Sequence, residues 1–209
     1  HGLPVPAVIA ADPHGADVGD GIPALLMARV PGRAQAAPDV GALAGLAAQV
    51  HSVSAVGFDH RYSPWCRETA TTPPRGCRRP ELWERALELW RTGEPAYEAC
   101  FIHRDFHPGN VLWSRGALGG LVDWANACVG PADMDIATCR WNLLDWAGEE
   151  AASAFVAAYE ELTGRPHHPY WDVAKIMEND WDTVDDPGWV REAEDLLAEA
   201  LMRLDAARQ

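Results

Sequence analysis

Phe101-Ile102-His103-Arg104-Asp105-Phe106-His107-Pro108-Gly109-Asn110-Val111-Leu112-Trp113, with Gly119-Gly120-Leu121-Val122-Asp123-Trp124 just beyond it, is where this sequence changes character. Cys100-Phe101-Ile102 predicts a short buried strand that delivers polar residues at its end. Pro108-Gly109 forces a turn, which sets Asp105 and Asn110 on opposite limbs of a tight loop. Val111-Leu112-Trp113 and Gly120-Leu121-Val122, separated by Ser114-Arg115-Gly116-Ala117, predict a hairpin whose pairing returns Asp123 to the neighbourhood of Asn110. Two carboxylates and one carboxamide, all hard oxygen donors, then share one corner. Such a set suits Mg²⁺, which takes one or two carboxylates and leaves its other positions for water and phosphate. A further carboxylate beside the metal, but not claimed by it, can accept a proton from an attacking hydroxyl. The reaction that divides labour in this way is phosphoryl transfer.

On either side of this segment the patterns are simpler. Pro6-Ala7-Val8-Ile9-Ala10-Ala11 and Pro23-Ala24-Leu25-Leu26-Met27-Ala28-Arg29-Val30 flank a Gly/Asp/Pro cluster and predict a hairpin. Gly19-Asp20-Gly21-Ile22-Pro23-Ala24 fits the G-x-G-x-x-A spacing literally, but no strand precedes it and Pro23 opposes a helix, so it is set aside. After Pro31-Gly32-Arg33 the chain becomes mostly helical. Val40, Leu43, Ala47 and Val50 mark a helix over 38–51, and Leu82, Trp83, Leu87 and Trp90 mark another that starts at Pro80. The stretch 59–80 has no periodicity and is expected to be a loop. Helical periodicity resumes near Asp133, covers 149–163 with Gly164 as C-cap, and returns at 170–181 and 189–207.

Composition narrows the classes. The 209 residues are 48% hydrophobic and 23% charged, which suits a globular chain of one domain or one and a half. Acidic residues exceed basic ones 31 to 17, a net charge of −14, which disfavours non-specific nucleic-acid binding and favours cationic partners. No apolar run approaches the roughly 20 residues of a membrane span. The first residues lack a basic n-region and an apolar core, and the five Cys are an odd number without zinc-type spacing, so free thiols in the cytoplasm are expected. The one lysine, Lys175, excludes a P-loop.

The pattern His103-x-Asp105-x-x-x-x-Asn110, with Asp123 beyond it, resembles the catalytic and metal-binding loops of the aminoglycoside phosphotransferase family. Gly130-Pro131-Ala132-Asp133-Met134-Asp135-Ile136-Ala137 looks like that family's G-x-x-x-x-D-[LI]-A segment, and Leu25-Leu26-Met27-Ala28-Arg29-Val30-Pro31-Gly32 is similar to its interlobe linker. The resemblance implies a protein-kinase-like α+β fold: residues 1–31 as a remnant β-hairpin of the small lobe with the linker, and residues 32–209 as the mostly helical catalytic lobe. It implies transfer of the γ-phosphoryl of ATP or GTP to a hydroxyl of a small molecule, among the candidates an aminoglycoside-type antibiotic, and hence a role in antibiotic resistance. Asp105 would be the base, Asn110 and Asp123 would bind Mg²⁺, and His103 and Asp135 would brace the loop. Met27, the Ala28 carbonyl and the Val30 amide would hold the nucleotide base. The family's Gly-rich loop, strand Lys and helix Glu precede the linker. Only about 25 residues precede Leu25 here, so a fragment lacking most of the small lobe is expected.

Blander readings stand beside these. Asp133 is expected to be a plain helix-start carboxylate. Glu178, Asp180, Asp182, Asp185 and Asp186 form an acidic cluster that is either a solvated face or, through Asp180 and Asp182, a receiver of a cationic acceptor. Trp141 and Trp146 are expected in the core. Two other classes remain open: a non-catalytic kinase-like module or inactive fragment, and a metal-dependent hydrolase that uses the alternating His103, Asp105 and His107 on one strand face.

Overall fold

The computed structural model describes residues 2–17, 19, 21–65, 72–181, 183–184 and 186–207. Strands β1 (Val8–Asp12) and β2 (Ala24–Met27) form the expected antiparallel hairpin. It buries little: Val8, Ile9, Leu25 and Leu26 are all mostly exposed. Strand β3 (Ala99–Ile102) delivers the chain into the His103–Asn110 loop. β4 (Val111–Ser114) and β5 (Ala117–Leu121) make the second expected hairpin. Arg115 and Gly116 at its tip both have positive φ, 54° and 80°, as a two-residue type I′ turn requires. β6 (Cys128–Pro131) pairs antiparallel with β3. It carries no sequence signal because all four residues are buried, so apolar and polar positions do not alternate.

Backbone hydrogen bonds hang the first hairpin on the second. The Leu121 N–H donates to the Pro4 carbonyl (2.8 Å), and Arg33 and Trp113 exchange two N–H···O bonds (3.1 and 2.9 Å). The 59–80 loop is also docked, where it is described: Val129 N–H donates to the His60 carbonyl (2.8 Å) and Tyr62 N–H to the Val129 carbonyl (2.9 Å).

Six helices supply the bulk among the described residues. α1 (Val40–His51) is capped by Asp39, whose carboxylate accepts the Ala42 N–H at 3.0 Å. α2 (Pro80–Thr92) starts at Pro80 as expected. α3 (Ala132–Ala147) and α4 (Glu149–Thr163) follow, and α4 closes at Gly164 with φ 67°. α5 (Tyr170–Met177) stops short of the expected 181, because the chain turns at Glu178 and Trp181 folds back, its indole N–H donating to the Ile176 carbonyl at 2.7 Å. Trp181 is buried by that return. α6 (Pro187–Ala206) is capped by Asp186.

The apolar side chains form two cores with α3 between them. Met134, Ala137 and Trp141 face the core shared with α2, α5 and α6; Ile136, Cys139 and Leu143 face the one shared with α1, α4 and the β4–β5 hairpin. A helix buried on both faces has no single apolar stripe. Its buried polar residues, Asp135, Thr138 and Arg140, are tolerable because each is paired, and that pairing helps to build the site.

Candidate active site

Asp135, wholly buried in the first turn of α3, accepts the backbone N–H of His103 on Oδ2 (2.8 Å) and that of Arg104 on Oδ1 (2.7 Å). Its Oδ2 also lies 3.1 Å from His51 Nε2, at the end of α1, and His51 Nδ1 lies 2.8 Å from the Tyr159 hydroxyl. With the ring proton on Nε2, His51 donates to Asp135 and accepts from Tyr159, so every heteroatom of the chain α4–α1–α3 is used. Arg104 has φ 72°, a region costly for a residue with a Cβ. Its guanidinium is buried and forked onto Glu178, Nη1 to Oε2 and Nη2 to Oε1, both at 2.8 Å. Tyr62 and Trp65 stack on it, 4.5 and 4.1 Å from its centre. A carboxylate, an ion pair and two aromatic faces therefore hold one strained residue, and Asp105 is the next residue along.

His103 is completely buried and its Nε2 donates to the Val122 carbonyl at 2.9 Å. The Val122 N–H in turn donates to the Asn110 carbonyl at 3.0 Å. These two bonds tie both limbs of the loop to the residue before Asp123. Asn110 Nδ2 donates to the Asp105 carbonyl (2.9 Å) and to Asp105 Oδ2 (3.3 Å), which orients its Oδ1 away from Asp105. Asp123 sits at φ 65°, and among the described residues its carboxylate has no hydrogen-bond partner. Asp105 keeps 31% of its side chain exposed, with His107 Nε2 at 3.8 Å. Burial pushes His107 below the ordinary histidine value, Asp105 and Asp123 opposing and Lys175 adding to the fall, so all three charges lie within electrostatic reach of that ring. His107 Nδ1 accepts the Gly109 N–H (3.1 Å), and a Cβ on Gly109 would stand 2.6 Å from the imidazole, so only glycine fits beneath it.

Asp105, Asn110, Asp123, His103 and Asp135 thus come together. His103 and His107 do not share a face: residue 104 turns left-handed between them and the buried ring is spent on Val122, which removes the geometry that the hydrolase reading needs. Among the described residues no three His, Cys, Asp or Glu side chains gather as a metal cluster. Met27 ends β2, 41% exposed. The Ala28 N–H is spent on the Ala7 carbonyl (2.8 Å), leaving its own carbonyl for other use. Val30 packs on β5, where a Cβ on Gly120 would lie 2.8 Å from its Cγ1.

The acidic cluster is dispersed. Glu178 belongs to Arg104 and Asp186 to the α6 cap, while Asp180 is exposed and only its carbonyl is engaged, by Thr183. Asp182 and Asp185 lie outside the described residues. Asp133 does stand in the first turn of α3, as expected, but it is more than a helix-start carboxylate: its Oδ1 accepts the His168 N–H (2.7 Å) and stands 3.2 Å from His167 Nδ1, so it ties the α4–α5 connection to α3. Trp141 is in the core as expected. Trp146 is only half-buried and reaches the loop, 3.5 Å from where a Gly109 Cβ would be. Sequence reasoning passed over His51 and Tyr159 and saw Glu178 only as a member of the acidic cluster; all three act through partners 74 to 116 residues away.

A helical lobe with a short hairpin on a linker, and a loop in which His, Asp and Asn converge with a second Asp, define a protein-kinase-like α+β fold. The model of the phosphotransferase enzyme family matches residues 1–168, and the chain belongs to that family. It is 33% identical over 184 residues to homoserine kinase of Pseudomonas aeruginosa, covering 76% of this chain and 55% of that one. It is 34% identical over 87 residues to stress response kinase A of Salmonella choleraesuis, covering 39% and 23%. The chain thus spans from about a quarter to about half the length of these relatives. Aminoglycoside phosphotransferase APH(4)-Ia superposes with a TM-score of 0.64 at 17% identity, covering 94% of this chain and 77% of that one. The aminoglycoside-3'-phosphotransferase of type VIII gives 0.59 at 22% identity, covering 93% and 74%. At such identities the likeness is one of fold. Among the described residues no helix is long and apolar enough to cross a membrane.

Proposed function

We propose that the protein transfers the γ-phosphoryl group of ATP or GTP to a hydroxyl of a small molecule, with residues 1–31 as small-lobe remnant and linker and 32–209 as the catalytic lobe. The observation that carries this reading is the pair of bonds through Val122, which hold the Asp105–Asn110 loop against Asp123. The donor set fits Mg²⁺: Asn110 has turned its amide nitrogen to Asp105, its Oδ1 has no partner among the described residues, and the Asp123 carboxylate is uncommitted. Asn110 and Asp123 would hold the ion, which when bound offsets charge on the nucleotide phosphates. Asp105 takes the proton from the acceptor hydroxyl as that oxygen bonds to the γ-phosphorus and the nucleoside diphosphate leaves. His103 and Asp135 fix the backbone that leads into that carboxylate. Met27, the Ala28 carbonyl and the Val30 N–H would receive the base. Solved structures in the fold hold ADP with hygromycin B, or GDP, which supports either nucleotide. The relatives point to two acceptor classes, aminoglycosides and homoserine. The net charge supports a cationic acceptor, with Asp180 and Asp182 as candidates to receive it and a resistance enzyme the implied role.

The test uses the protein as its gene encodes it, with Mg²⁺, each nucleotide and a panel of hydroxyl acceptors, reading nucleoside diphosphate release. Asp105→Asn should lower kcat by roughly 10²–10⁴-fold, the usual worth of a general base, with Tm unchanged because the side chain is one-third exposed. Turnover retained in that variant would remove Asp105 from the role.

A further inference from the structure

We propose that His107 is the second group that holds the acceptor: its Nε2–H and Asp105 Oδ1 together seat the oxygen of the hydroxyl to be phosphorylated. This rests on the phosphotransferase reading above and adds to it what selects a hydroxyl.

The ring of His107 is fixed both in place and in tautomer. Phe106 and Pro108 on either side of it are buried, and its carbonyl accepts the Asn110 N–H at 3.0 Å. The Gly109 N–H donates to Nδ1 at 3.1 Å, so Nδ1 holds a lone pair and the proton of the neutral ring is on Nε2. Gly109 lies against the ring, where a Cβ would stand 2.6 Å from Cε1 and 2.9 Å from Nδ1. A ring gripped at Nδ1 and seated on that glycine holds its other nitrogen steady, and that nitrogen stands 3.8 Å from Asp105 Oδ1.

The two oxygens of Asp105 are divided. Oδ2 receives the Asn110 amide at 3.3 Å, whereas Oδ1 is the oxygen beside His107. Among the described residues neither Nε2 nor Oδ1 has a hydrogen-bond partner. Their separation of 3.8 Å is too long for a bond between them, yet it suits one oxygen placed about 2.8 Å from each. Both side chains reach solvent, His107 at 23% and Asp105 at 31% exposed, so a substrate has access to the gap.

The gap offers one donor and one acceptor, and that pair selects the ligand. A hydroxyl has one proton and two lone pairs. With the proton on Oδ1 and one lone pair on Nε2–H, the second lone pair is left for phosphorus. In the transfer the hydroxyl oxygen bonds to the γ-phosphorus and its proton passes to Asp105. The bond from that phosphorus to the β–γ bridging oxygen breaks, and its electron pair leaves on the nucleoside diphosphate. His107 keeps its own proton and offsets the negative charge that the attacking oxygen gains as it is deprotonated. An ammonium group has three protons and no lone pair, so it meets Nε2–H unfavourably. Cationic acceptors carry amino groups that Asp105 alone would attract; His107 turns the site towards their hydroxyls.

The experiment uses two amides that each copy half of the imidazole. In His107→Asn the shorter side chain sets its oxygen where Nδ1 was, keeping an acceptor for the Gly109 N–H, and nothing replaces Nε2–H. In His107→Gln the longer one brings an N–H to the place of Nε2 and gives up the Gly109 bond. The full protein with Mg²⁺ and ATP or GTP is assayed by nucleoside diphosphate release, with water, L-homoserine and hygromycin B as acceptors. His107→Asn should lower the rate by roughly 10- to 100-fold on each acceptor the wild type uses, the worth of one hydrogen bond to a charged oxygen. Its nucleotide KM and its Tm should stay close to wild type. His107→Gln should melt lower and yet recover part of the lost rate. Spectra of the free protein labelled with ¹⁵N-histidine, with His107 assigned by its loss in His107→Gln, should show the ring proton on Nε2. The proposal is overturned if His107→Asn keeps the rate, whether or not His107→Gln loses it, because a ring that only props the turn behaves so. It is overturned equally if His107→Asn raises the nucleotide KM and spares the acceptor, or if the proton is on Nδ1. The parent reading fails separately, if Asp105→Asn keeps its turnover.

Discussion

Asp133 and Asp135 lie two residues apart in the same turn of α3, yet they serve different kinds of structure. Asp135 accepts two consecutive backbone amides of the catalytic loop and one imidazole from α1. Asp133 reaches the opposite way, into a chain of alternating charges, buried at its middle, that runs through His167 and Asp172 to Arg140 and Glu199. The first knot fixes backbone geometry, and two of its three partners cannot titrate. The second fixes how helices sit against each other, and a histidine is its link. A single turn of helix thus carries both a device that positions chemistry and a device that positions elements.

The largest effect that would sharpen this contrast comes from emptying the first knot. Asp135→Ala strands two buried amides and the His51 ring, each worth about 1–3 kcal/mol when left unpaired, so a loss of about 3–5 kcal/mol and a fall in turnover are expected. Asp133→Ala leaves His167 with Asp172 and should cost about 1–2 kcal/mol with near-normal turnover. Chemical denaturation and kcat on the same two proteins check both. Equal losses of stability and of rate in the two variants would break the contrast.

A somewhat smaller effect lies at Arg104. Arg104→Met should cost about 2–4 kcal/mol, most of it the penalty of leaving the Glu178 charge buried and alone. Arg104→Met with Glu178→Met should recover much of that in a double-mutant cycle, because two apolar side chains replace a desolvated pair. Turnover should stay low in both, since the strained backbone at residue 104 loses its clamp either way. Recovery of rate along with stability would mean that the ion pair serves packing only.

What could be read from the chain in advance follows the same division. Contacts between residues close in sequence left local marks. The Arg115-Gly116 turn, Pro80 at a helix start, Gly164 at a helix end and the Asp105–Asn110 spacing are all written in short patterns, and the structure has each of them. Contacts between distant residues left none. Glu178 looked like one member of an acidic run because nothing in its neighbourhood tells that its partner is Arg104, 74 residues earlier. Asp133 looked like a cap for the same reason. β6 hid because burial on both faces erases alternation, and α3 hid its orientation because both of its faces are core. The fold's elements are local facts. Which buried charges meet is a property of the packed whole.

The smallest effect separates the two knots by pH. His167 is wholly buried; burial alone would lower its pKa, but Asp172 and Asp133 outweigh burial and raise it to about 9. Asp172 is held below the usual carboxylate range, burial opposing and His167 with Arg140 prevailing. The folded protein therefore keeps a proton on His167 that the unfolded chain, with an ordinary value near 6.5, releases. The stabilisation is fully present below about pH 6.5 and is lost progressively as pH rises through about 9. Across that interval it amounts to about 1–3 kcal/mol. Wild-type Tm should fall relative to that of His167→Gln as pH rises from 6 to 10, so that a gap between the two proteins at the acid end closes at the alkaline end. Subtracting the two curves removes every other titrating group. The same subtraction made with Asp135→Ala should give a gap that does not close in this way, because amides hold their protons throughout. If the His167→Gln gap is constant with pH, His167 is neutral in the folded protein and the second knot is no more titratable than the first.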